Sequence, residues 1–162
     1  MKTIILIITL LSVNIIVSQE KCKVKKKYDE FEKTSSYTNT GNPFGRGLNF
    51  GGSFLLTKIK SEKSEQFYII LGSKTKGCIS ESNSYVTFLF ENNETKKFNY
   101  SGNVDCGTSF ISFNINREDL TYIAENKIKK IRICLDYSID YYVKEKDNFT
   151  LQNDIKCVLQ AE

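Results

Sequence analysis

Residues 85–91 read Tyr-Val-Thr-Phe-Leu-Phe-Glu. Val86, Phe88 and Phe90 fall on one side of a pleated strand and Tyr85, Thr87 and Leu89 on the other, a period of two that suits a strand with one buried face. The polar run Glu91-Asn92-Asn93-Glu94 follows at hairpin spacing, and residues 97–101 make the return strand before Ser101-Gly102-Asn103 breaks it. The same period recurs on either side. Between Thr108 and Asn116, Ile111, Phe113 and Ile115 share a face opposite Ser112 and Asn114. Ile131, Ile133 and Leu135 alternate with Arg132 and Cys134, and Ile139, Tyr141 and Val143 alternate with Asp140 and Tyr142. Phe67 to Leu71 is apolar throughout, as a central strand covered on both faces is.

Two segments have a helical period instead. Asn116 reads as an N-cap, with Glu118 and Asp119 in the first turn and Leu120, Ile123, Ala124 and Lys127 at helical spacing. Further on, Asn148 or Thr150 reads as the cap of a second helix whose apolar stripe is Leu151, Ile155, Val158 and Leu159. There is no βαβ alternation and no internal repeat. The expected fold is therefore α+β and mostly β: an antiparallel barrel or sandwich of about seven to eight strands, one short helix between strands, and a C-terminal helix.

The ends and the composition bound the function. Lys2 followed by the apolar stretch Ile4 to Val17 and small Ser18 reads as a signal peptide over residues 1–18, too short for a bilayer span. Residues 19–162 then form a single β-rich domain, with 19–27 as a basic leader carrying Lys21, Lys23, Lys25, Lys26 and Lys27. The expected location is exported, periplasmic or extracellular, with no transmembrane segment once the signal is removed. In such a compartment Cys22, Cys78, Cys106, Cys134 and Cys157 read as two structural disulfides and one odd thiol, the pairing left open by the spacing. The chain contains no His, which excludes His-dependent nucleophile systems and His-ligated zinc. A net charge of +4 is too balanced for a dedicated nucleic-acid binder. No cofactor and no metal site is expected.

The remaining motifs carry little chemistry. Gly45-Arg46-Gly47-Leu48-Asn49-Phe50-Gly51-Gly52 is glycine-rich but lacks the Gly-Lys-Ser/Thr of a phosphate loop. It can still present Phe44, Arg46 and Phe50 as binding anchors. Ser73-Lys74-Thr75-Lys76 spells the start of a Ser-Lys acyl-transfer motif but sits after an apolar strand, where it reads as a turn. Asp136 and Asp140 are a candidate carboxylate pair only if no turn separates them, and Tyr137 to Ile139 reads as part of one. Asn93, Asn99 and Asn148 begin N-x-Ser/Thr triplets.

The second half of the chain resembles a loosely defined group of small exported β-rich proteins of Bacteroidota. The resembling pieces are Val86 to Phe90 with its polar turn, Ile115 to Leu120, Lys127 to Ile133 (KIKKIRI), Tyr141 to Lys144, and Phe149 to Leu159 ending in IKCVL. The resemblance implies a β-rich domain with a terminal helix and brings no activity with it. The leading expectation is a non-enzymatic binding or interaction module for a protein or small ligand, working through a sheet face or the 41–53 loop. The alternatives are a small hydrolase using carboxylates, Tyr or Lys, and a lipid or small-ligand carrier with a barrel cavity.

Overall fold

The computed structural model describes residues 22–39, 42–44 and 52–162. The expected signal segment 1–18, the first residues of the expected leader, and Arg46 and Phe50 lie outside the described residues, and Phe44 is described in its backbone alone. The described residues form ten strands and two helices, and every strand pairing is antiparallel.

The first sheet contains β1 (Val24–Asp29), β2 (Thr34–Asn39), β3 (Asn42–Phe44), β4 (Gly52–Lys60), β5 (Glu65–Ile79) and β8 (Asp105–Ile115). Its order is β1-β2-β4-β5-β8, with β3 beside β4. The second sheet contains β6 (Tyr85–Phe90), β7 (Thr95–Asn99), β9 (Ile128–Cys134) and β10 (Ser138–Tyr142), in the order β10-β9-β6-β7. Helix α1 (Arg117–Glu125) connects β8 to β9, and α2 (Glu145–Gln160) follows β10. Both sheets are open at their ends, so the barrel expectation is corrected: the described residues form no closed barrel.

One core joins the layers. Val86, Phe88 and Phe90 on β6, with Ile131 and Ile133 on β9, meet Ile69, Leu71, Ile111 and Phe113 of the first sheet. Phe113 is the hinge of this contact, stacked on Phe98 at 5.2 Å and edge-on to Phe88 at 6.3 Å. Beside the second sheet, α2 covers the β2–β4 end of the first sheet with Leu151, Ile155 and Val158. Asn116 caps α1 by accepting from the Asp119 amide at 2.7 Å, and Leu120, Ile123 and Ala124 are its buried face.

Several local expectations need correction. β5 runs through Ser73 to Gly77 instead of turning there, because a bulge between Gly72 and Gly77 absorbs the irregular residues while pairing with β8 continues to Cys78↔Cys106. Lys127 lies past the end of α1. Helix α2 starts at Glu145 after Lys144, so Asn148 and Thr150 are inside it. The turn between β9 and β10 ends at Tyr137, and Ser138 and Ile139 already belong to β10. Residues 24–27 of the basic leader are part of β1, an edge strand whose exposed lysines discourage further pairing. Polar β1 and β2 were not legible as strands, which accounts for most of the difference between ten strands and the seven or eight expected.

Candidate functional site

The register of the second sheet brings its outward side chains into three rows. Ser138, Cys134, Tyr85 and Asn99 form one; Asp140, Arg132, Thr87 and Lys97 the next; Tyr142, Lys130, Leu89 and Thr95 the third. Alternation on β6 fixes this arrangement, because burying Val86, Phe88 and Phe90 leaves Tyr85, Thr87 and Leu89 facing out. A bulge at Lys129, where Leu89↔Lys130 is followed by Phe90↔Ile128, keeps both Ile128 and Ile131 inward and Lys130 outward.

Three cations therefore share a face with two tyrosines and one carboxylate. Arg132 donates from Nε to Asp140 Oδ1 at 2.6 Å and from Nη2 to Oδ2 at 2.9 Å, and Lys130 Nζ donates to the same Oδ2 at 2.9 Å. The Arg132 guanidinium, reinforced by Lys130 against the opposing effect of burial, holds the Asp140 carboxyl well below the usual carboxylate range. Asp140 in turn raises the Arg132 pKa. Two of the five guanidinium N–H groups serve Asp140, which leaves three for other acceptors. Lys97 Nζ lies 3.8 Å from the centre of the Tyr85 ring, and Lys130 Nζ lies 5.8 Å from that of Tyr142.

Along β6 these side chains bound a shallow trough of about 290 Å³. Thr87 and Leu89 are its floor, Lys97 and Thr95 one wall, Arg132 and Lys130 the other, and Tyr85 closes one end. The trough is open to solvent along its length. It can seat an elongated anionic group with an apolar side; Asp140 neutralises one of the three cations and leaves the face net positive.

The other candidates are engaged in structural contacts. Asp136 lies in the β9–β10 turn, where its carboxylate borders Gly77, whereas Asp140 is paired on the open face, so the two do not form an acid/base pair. Ser73 is buried, with its hydroxyl 3.1 Å from that of Tyr141, while Lys76 of the same motif is exposed. Buried Lys58 bonds Glu65 at 2.9 Å and the Ala161 carbonyl at 2.7 Å, an internal tie between β4, β5 and the end of α2. Cys22 pairs with Cys157 and Cys78 with Cys106, which leaves Cys134 as a free thiol among the described residues. No group of three or more acidic or Cys side chains among the described residues is placed to hold a metal ion.

Of the sequence-derived anchors, Phe44 belongs to β3 of the first sheet, and Arg46 and Phe50 lie outside the described residues. The rows on the outward face of the second sheet were missed as a site, although Lys97, Lys130 and Arg132 alternate with inward residues in the sequence. The missing signal was the pairing of β9 with β6, which no local pattern carries. Comparison of the chain with protein-family models, with curated proteins and with solved structures finds no match.

Proposed function

We propose that this protein is an exported, non-enzymatic binding module with a sandwich-like body, and that its ligand sits on the outward face of β10-β9-β6-β7. The observation that carries this reading is the gathering of Lys97, Lys130 and Arg132 around one open trough beside Tyr85, with Asp140 as the only acid in the three rows. Export is supported by the leader pattern at residues 1–18 and by two disulfides, which persist in oxidising compartments. Among the described residues no helix is long and apolar enough to cross a membrane.

Binding is favoured over His-free hydrolysis because the face's one carboxylate is locked between two cations, away from any second acid. It is favoured over a carrier role because the sheets formed by the described residues do not close into a barrel and the trough is open. The test is amide chemical-shift mapping of the mature protein during titration with hexaglutamate, oligothymidylate, a galacturonate hexamer and maltohexaose. Shifts clustered at residues 85–89, 95–99 and 130–134 with at least one acidic probe are expected. If every probe leaves that face unmoved, or any probe is cleaved, the reading fails.

A further inference from the structure

We propose that the trough along β6 takes a segment of acidic polysaccharide whose charge is carried by uronate carboxylates. This rests on reading the outward face of the second sheet as the ligand face, and adds the class of ligand.

The backbone decides against a peptide. Every β6 residue pairs with β7 on one side and β9 on the other apart from Phe90, which pairs with β9 alone, so the trough floor offers side chains and no free ladder groups. A peptide gains affinity by main-chain pairing at a sheet edge, which this face does not present, and recognition of an acidic peptide by side chains uses clustered arginines, whereas the three rows hold one Arg that already forks onto Asp140. A sugar needs only side-chain partners: Thr87 and Thr95 supply hydroxyls, Leu89 and Tyr85 supply apolar surface for ring C–H groups, and the walls supply cations.

The charge decides against nucleic acid. Nucleic-acid affinity comes from many neutralised phosphates, and here three cations minus one carboxylate give a face of about +2. The dimensions suit a ring-borne carboxylate. Each wall strand lies about 4.8 Å from the floor strand, and the two walls stand about 10 Å apart. A carboxylate attached directly to a pyranose ring on the floor can be met by Lys97 or by the N–H groups of Arg132 that Asp140 leaves free. The trough is open to solvent along its length, so it need hold only a short segment of a polymer.

Isothermal titration of the mature protein with a galacturonate hexamer, maltohexaose and hexaglutamate tests this, with shift mapping to place each probe. Galacturonate is expected to bind on the face at least tenfold more tightly than either of the others, which is a difference of about 1.4 kcal/mol. Lys97→Ala is expected to weaken it about fivefold, as the loss of one exposed charge contact does. Lys25→Ala on the far edge of the first sheet leaves it unchanged. Asp140→Asn lifts the one negative charge from the face and is expected to tighten galacturonate several-fold while leaving maltohexaose unaffected, a gain that a merely unfolded variant cannot give. Hexaglutamate binding as tightly on the same face overturns the polysaccharide and leaves the ligand face standing. Tighter binding of a chondroitin sulfate hexamer than of galacturonate overturns the uronate assignment. Absence of shifts on the face with every probe overturns both readings.

Discussion

Asn148 is a buried polar residue whose amide is fully used inside the fold. It projects from the first turn of α2 into the core, where Oδ1 accepts from the Ile128 amide at 2.8 Å and Nδ2 donates to the Ile128 carbonyl at 2.8 Å. β10 pairs with β9 only from Lys130 onward, so the side chain takes the place of a missing strand neighbour. Asn148→Ala would leave a buried N–H and C=O without partners, and a loss of about 2–4 kcal/mol in urea unfolding is expected; a loss below 1 kcal/mol would mean that water replaces the amide. The same burial keeps this asparagine from serving as a glycan acceptor in the folded protein. Asp140 governs a pH effect. Its folded pKa is depressed, chiefly by Arg132, so its stabilising contribution is complete above the unfolded value of about 3.9 and is lost as pH falls through the lower folded value. Thermal melts from pH 6 down to pH 2 should therefore show a steeper loss for the wild type than for Asp140→Asn below about pH 4. Parallel curves would show that the ion pair contributes nothing to acid sensitivity.

At the level of elements, local pattern was readable wherever one face of a strand or helix is buried. β6, β8 and β9 show their period of two, and α1 shows both its cap and its stripe. The start of α2 was misplaced because Asn148 has cap chemistry in the sequence but spends it on Ile128; Glu145 and Asp147, acidic residues near the positive end of the helix, were the better signal. β5 was cut short because Gly72, Ser73 and Gly77 are turn-forming residues by type. Pairing with β8 carries the strand past them, and an added Cβ at Gly72 would come within 2.5 Å of Ser53 Oγ, so close packing calls for glycine there. β1 and β2 have no hydrophobic alternation; their place follows from mutual pairing and from a distant crosslink. The proposed ligand face was illegible for a related reason. Its cations come from β7 and β9, which are about thirty residues apart and meet across β6 only through a non-local register.

Across the whole molecule, the crosslinks set which parts can separate. Cys22–Cys157 joins the segment before β1 to α2 over a sequence separation of 135, whereas Cys78–Cys106 joins adjacent strands over 28. In the chain-entropy treatment the long loop is worth about 5 kcal/mol and the short one roughly 3.5 kcal/mol. β1 has little else to hold it. Apart from Val24, which packs at the margin of the core, its side chains are exposed, and its contacts include the ladder to β2, Lys26 over the Tyr37 ring at 5.1 Å and Lys26 on the Glu162 carbonyl at 3.1 Å. Loss of the long crosslink should therefore free β1 before the core opens, whereas loss of the short one acts on the β5–β8 pairing at the opposite edge of the first sheet. Hydrogen exchange on a Cys22→Ser, Cys157→Ser double variant checks this. Amides of β1 should lose protection to near that of a fraying edge, while those of β6 and β9 keep protection set by global unfolding. A β1 still as protected as β6 would show that strand pairing seats it, and that the protein keeps its first sheet intact without the Cys22–Cys157 crosslink.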